Sequence, residues 1–222
     1  VYLSRRGSRT TGFEPLRDVH VLQVTGAGCT PLLDTEHRNY HCRERMEFTF
    51  RELVPKGGPD GPILAARWRW ADEPRLRSTL DYLKAQGMPA IVLGPTVEYS
   101  AWAPELVLHH GRLDGLTAWV DGFLVPDRPE VDRRPVRTAR ESSAEYFSVI
   151  EAFCRPGGCP VTSGEGKLLV LDYGHHTPAG ARALAAGLAE LGIAFPRRTD
   201  QAEANRVAQR HSSVEGASAA SR

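Results

Sequence analysis

The chain reads as an α/β protein, a three-layer α/β/α sandwich on a mostly parallel sheet. Two observations predict this. Short β-favouring apolar runs alternate with longer segments in which leucines and other apolar residues recur every three or four positions. The apolar runs are also continuous rather than alternating, as in strands covered on both faces. The size agrees: 222 residues, 41% hydrophobic and 25% charged, support one domain with a sizeable core.

Four runs are expected as strands: Val19 to Thr25, Ile63 to Trp68, Ala90 to Leu93 and Lys167 to Asp172, each bounded by Gly, Pro or Asp. Val1-Tyr2-Leu3 is strand-like as well. Glu73 to Gly87 carries Leu76, Leu80 and Leu83 on one helical face and ends at a glycine. Ser142 to Phe153 and Pro178 to Leu191 repeat the helical pattern. In the last of these, Thr177 is placed as N-cap, Pro178 in the first turn and Gly192 as terminator. Val125 to Arg140, rich in Pro and Arg, is expected to be an exposed loop. From Arg197 onward small and polar residues dominate, so the domain is set at 1–196 and residues 197–222 are expected to form a disordered tail.

Charge and hydropathy exclude some partners. With 28 Lys plus Arg against 27 Asp plus Glu, the net charge of +1 supplies no global field for nucleic acid or an anionic membrane. No run approaches the roughly 20 apolar residues that cross a bilayer. The chain begins at Val1, without Met, directly in a strand-like run, and is therefore read as a piece of a longer protein.

Four cysteines fall into two local pairs, Cys29 with Cys42 and Cys154 with Cys159. Neither has the Cys-x-x-Cys spacing of a structural zinc site. Disulfides are the preferred reading over free thiols, because the Arg-Pro-Gly-Gly turn lets Cys154 approach Cys159 and the first pair would staple the loop after the second strand. Such pairs imply an oxidising, periplasmic or extracellular compartment.

Asp172-Tyr173-Gly174-His175-His176-Thr177-Pro178-Ala179-Gly180-Ala181 sits where a strand ends and a helix begins, and reads either as a catalytic loop or as a strand end followed by solvated loop histidines. An Asp and a His three residues apart on one loop can serve one nucleophile: the carboxylate orients the imidazole while its other nitrogen takes the proton. His175 and His176 are both candidates for that base.

This stretch resembles the C-terminal block of SGNH-type (GDSL-like) hydrolases and acyltransferases. The chain is more narrowly similar to the extracytoplasmic SGNH domain fused behind the membrane-embedded acyltransferase-3 domain of bacterial O-acyltransferases. The resemblance also rests on Val21 to Thr25 leading to Gly28-Cys29-Thr30-Pro31, on Cys42, on Ile63 to Trp68, on Val92-Leu93-Gly94-Pro95, and on Cys154 and Cys159, in family order. It implies a serine acyltransferase or esterase. Ser8 would be the nucleophile, Asp172 and His175 its partners, and the backbone N–H groups of Ser8 and Gly28 the oxyanion hole. Trp68 would be an aromatic beside the catalytic loop that stacks on a sugar face. No metal or nucleotide motif appears, so no cofactor is assigned. The implied partners are the membrane acyltransferase domain of the same protein and a cell-surface glycan acceptor, at the outer face of a bacterial membrane.

The family's Gly-Asp-Ser-His motif reads Arg6-Gly7-Ser8-Arg9 here, so the serine alone is kept. Two other readings of the same residues stand beside the enzyme: a catalytically silent glycan-binding or scaffolding module, and a truncated gene fragment of a membrane acyltransferase.

Overall fold

Five short strands form one sheet in the order β2-β1-β3-β4-β5 in the computed structural model, which describes residues 2–6, 19–35, 40–56 and 59–194. The strands are β1 (Tyr2–Arg6), β2 (Val19–Gln23), β3 (Gly61–Ala65), β4 (Ile91–Leu93) and β5 (Glu145–Phe147). β3, β4 and β5 are parallel, with Leu64 opposite Val92 and Val92 opposite Tyr146. β1 runs antiparallel to both of its neighbours, pairing Ser4 with Val21 and with Gly61. β2 and β3 therefore point the same way, and the loop after β2 leaves the sheet at the end where β3 and β4 finish.

The central strands are buried because they have nothing polar to present: Leu64, Ile91 and Val92 are wholly inaccessible. Alternation sends Leu64 and Val92 to one face, where they join Met46, Phe50, Leu76, Leu80, Leu83, Val131 and Ala139 in the larger core. Those residues come from α1 (Tyr40–Glu47) and the π-helical turns that continue it over Phe48–Leu53, from α2 (Glu73–Ala85) and from α5 (Arg128–Glu141). Ile63 and Ile91 alternate to the opposite face and are buried there. A second cluster gathers residues of α3 (Ala103–His110), α4 (Leu116–Val120), α6 (Val149–Phe153) and α7 (Pro178–Glu190) with Val161, Leu169 and Val170. Helices over both faces of a sheet with a parallel core make this an α/β fold.

Four expected elements differ. The stretch expected as a loop from Val125 to Arg140 contains α5. Its Pro and Arg content hides an amphipathic face: Val131, Pro135, Thr138 and Ala139 are buried at helical spacing, while Arg133, Arg134, Arg137 and Arg140 stay in solvent. Pro129 fits the first turn, where its missing N–H costs nothing. The helix expected over Ser142 to Phe153 is split. Glu145–Phe147 extends the sheet as β5, and Ser148 then caps α6 by accepting the Glu151 N–H at 3.0 Å.

Lys167 to Asp172 is not a strand of the sheet. The segment folds back on its neighbours, with Leu169 N–H donating to Val161 O (2.8 Å), Leu171 N–H to His175 O (2.7 Å) and Thr177 N–H to Leu169 O (2.9 Å). These bonds satisfy its backbone locally, and Leu171 is left 60% exposed. β2 is likewise an edge strand rather than one covered on both faces, its Val21 and Leu22 being about half exposed.

Both cysteine pairs are bonded, Cys29 to Cys42 and Cys154 to Cys159. The second closes a turn in which Arg155 and Gly158 exchange backbone hydrogen bonds and Gly157 and Gly158 adopt φ of 112° and 118°, open only to glycine. Among the described residues, no helix is long and apolar enough to cross a membrane. The proposed tail falls outside the described residues.

Candidate functional site

Residues 171–177 form a tight loop whose ends are clamped together by Leu171 N–H on His175 O and Thr177 N–H on Leu169 O. Asp172 organises the interior. Its Oδ1 accepts the N–H groups of Gly174 and His175, both at 2.9 Å, and its Oδ2 lies 2.7 Å from Nδ1 of His175. One carboxylate thus fixes the turn and the ring together. Partial burial pulls the Asp172 pKa upward, but the two backbone donors and the imidazole outweigh it and hold the carboxyl below its usual range. His175 is largely exposed. With Nδ1 committed to the carboxylate, Nε2 is the nitrogen left to exchange a proton.

His176 points the other way. Its Nε2 is 3.2 Å from Thr96 Oγ1, its ring packs 4.7 Å from Phe153, and its buried Nδ1 has no hydrogen-bond partner. Burial pushes its pKa below the ordinary value, and with its ring turned to Thr96 and Phe153 it takes no part in the Asp172 pairing. Thr177 joins the loop to α7, donating to Leu168 O (2.6 Å) while its Oγ1 caps Gly180 N–H (3.1 Å). A side chain at Gly180 would meet Leu169 O at 1.9 Å, which is why glycine stands where α7 crosses the loop.

The loop is held at the end of the sheet where β3 and β4 finish. Tyr99 N–H donates to Tyr173 O (2.7 Å) and Ala103 N–H to Asp172 O (2.9 Å). Beneath it lies Glu98, 2% exposed, which accepts both Nε (2.8 Å) and Nη2 of Arg67 and, at 3.2 Å, Nη1 of Arg128. Arg67 lies over the Tyr173 ring, 5.3 Å from its centroid, and that ring meets His175 edge-on at 5.6 Å. Hydrogen bonding to Glu98 raises the Arg67 pKa further.

One expected site residue is placed differently. Trp68 is 1% exposed, and its indole N–H donates to Leu93 O at 2.6 Å. It pins the ends of β3 and β4 together and has no face left for a sugar, so the stacking role assigned to it fails. The exposed aromatics near the dyad are instead Tyr173 and Trp102, the latter preceding the Ala103 that bonds Asp172. Gly28, at φ 70°, follows β2 in an exposed loop at the same end of the sheet as His175. Ser8 lies outside the described residues. The strand before it, β1, is antiparallel to β3, so its last residue, Arg6, lies at the end where β3 begins. Among the described residues, no serine or threonine hydroxyl hydrogen-bonds to His175.

Arg67, Glu98 and Tyr173 carry no catalytic signature in the sequence. The signal was position: Arg67 and Glu98 follow the C-terminal ends of two parallel strands, where α/β sheets place their sites.

A family model for the SGNH domain (fused to AT3 domains) matches residues 15–190, a span that holds Gly28, Asp172 and His175 and starts after Ser8. Among solved structures, the periplasmic domain of the lipopolysaccharide acetyltransferase of Salmonella ser. Paratyphi A is similar in fold. The TM-score is 0.62 at 18% sequence identity, over 73% of this chain and 68% of that one. No curated protein matches the chain. Since the family model spans most of its length, from before β2 to the end of α7, the chain belongs to the SGNH domains that are fused to AT3 domains.

Proposed function

We propose that this domain moves an acyl group to or from a hydroxyl of a cell-surface glycan, on the extracytoplasmic side of a bacterial membrane. The acyl source is a membrane-embedded acyltransferase domain of the same protein. The observation that carries the reading is the Asp172–His175 pair, closed at 2.7 Å on a loop at the end of the parallel strands. Membership of a family named for its fusion to AT3 domains supports the partner, and the two disulfides support an oxidising compartment.

In this reading Ser8 Oγ attacks the acyl carbon as Nε2 of His175 takes its proton. Asp172 stabilises the imidazolium, and the N–H groups of Ser8 and Gly28 hold the tetrahedral anion. Nε2 then returns the proton to the departing alkoxide, leaving an acyl-serine. A second hydroxyl, from the acceptor or from water, attacks that ester and passes its own proton through the same nitrogen back to Ser8.

A second reading, the catalytically silent module, is favoured by one observation: β1 delivers Arg6 to the end of the sheet away from His175. Turnover of an aryl acetate separates the two. The enzyme reading expects hydrolysis by the natural chain and its loss in both Ser8→Ala and His175→Ala. Turnover that appears only after Arg6→Gly, Gly7→Asp and Arg9→His are introduced together supports the silent module. Hydrolysis that survives His175→Ala overturns the mechanism.

A further inference from the structure

Glu98 is a carboxylate 2% exposed to solvent, and nothing in the acyl-transfer chemistry uses it. A buried charge persists only where it is paired, and Glu98 is paired three times, by two donors of Arg67 and one of Arg128. Arg128 is itself anchored, its Nε and Nη2 donating to Asp127 at 2.8 and 3.1 Å. Arg67 differs, because its side chain is 55% exposed. A surface guanidinium ordinarily gains little from an ion pair and keeps its rotamer freedom. Here the bidentate fork on a buried, immobile carboxylate removes that freedom and fixes the guanidinium over Tyr173.

The consequence reaches His175. Its side chain is 69% exposed, so the Asp172 bond alone must hold it against rotamers that swing into water. The Tyr173 ring stands edge-on beside the imidazole, and the backbone of the same loop is bonded to Tyr99 and Ala103. We propose that Arg67, clamped by Glu98, is a positioning residue: it fixes the Tyr173 ring as a wall that keeps the His175 imidazole in the rotamer paired with Asp172. The inference rests on the acyl-transfer reading for its purpose, but the geometry of the ring is measurable without turnover.

Long-range proton–nitrogen correlation NMR on the full chain reads which ring nitrogen of His175 carries the proton. The wild type is expected to show one tautomer, protonated on Nδ1 toward Asp172. Arg67→Gln and Tyr173→Ala are each expected to shift the ring toward a mixture of tautomers, whereas Tyr173→Phe, which keeps the wall, retains the wild-type nitrogen shifts. Circular dichroism confirms that the variants remain folded. If the natural chain hydrolyses an aryl acetate, Arg67→Gln is expected to lower kcat about tenfold with KM unchanged. Wild-type tautomer populations in both Arg67→Gln and Tyr173→Ala overturn the positioning role and leave the acyl-transfer reading intact. A wild-type ring that already mixes tautomers removes the Asp172–His175 pairing and overturns both. A single tautomer that responds to the variants in a chain without esterase turnover upholds the positioning role and fails the catalytic reading alone.

Discussion

The two adjacent histidines of the loop are separated by what their neighbours offer. His175 has a carboxylate at 2.7 Å, the edge of the Tyr173 ring and a largely exposed side chain; His176 has Phe153, a threonine hydroxyl and an unpaired buried nitrogen. Asp172 and His176 each give a pH signature. Asp172 has a folded pKa below its unfolded value of 3.8, so the unfolded chain binds more protons in the interval between them. Its stabilisation is complete above pH 3.8 and is lost as pH falls through the folded value. The melting temperatures of wild type and Asp172→Asn are expected to converge only in that acid range. His176 works through burial. Its folded pKa lies below 6.5, the unfolded chain protonates first, and stability falls as pH drops below that value. Thermal melts across that interval are expected to show a shallower loss in His176→Gln than in wild type; equal slopes would show that the buried ring is not what titrates.

At the scale of elements, α7 is held by two contacts that admit no side chain. A Cβ at Gly187 would sit 1.8 Å from Ala152 O in α6, and one at Gly180 1.9 Å from Leu169 O. Both obstacles are backbone, so relief requires the helix to move. Gly187→Ala is expected to cost about 3 kcal/mol in urea unfolding, well beyond the gain that alanine brings to an exposed helix. The same contacts show where the sequence is legible. Leucine spacing placed α2, and the Thr177 cap with Pro178 placed α7, because these signals are local. α5 was hidden because its buried stripe includes Pro135 and Thr138, which read as breakers until a neighbouring helix covers them. The apolar run at Lys167 to Asp172 has strand composition, and only the chain folding back on Val161 and Thr177 keeps it out of the sheet. Asp172 and His175 could be proposed from sequence because their loop lies in a block that resembles the SGNH family, whereas the Glu98–Arg67 clamp joins residues 31 positions apart and exists only in three dimensions.

For the molecule as a whole, the disulfides divide the labour unequally. Cys154–Cys159 closes a sequence separation of 5 in a turn already fixed by paired backbone bonds and by Asp121, which accepts the Cys159 N–H at 3.0 Å. Cutting it releases little chain. Cys29–Cys42 closes a separation of 13 and ties the glycine loop after β2 to α1, joining an exposed edge of the sheet to a helix of the larger core. The loop-entropy estimate for a closure of this length is about 3 kcal/mol. The double variant Cys29→Ala, Cys42→Ala is therefore expected to lose about that much stability in urea, and Cys154→Ala, Cys159→Ala measurably less. The two losses should also part in function. Gly28 sits one residue before Cys29, so freeing that bond lets the proposed oxyanion donor drift from the end of the sheet that holds His175. Aryl acetate turnover, where the natural chain shows it, is expected to fall in the first double variant at temperatures where circular dichroism still reports a folded domain. Full turnover in that variant would detach Gly28 from the chemistry.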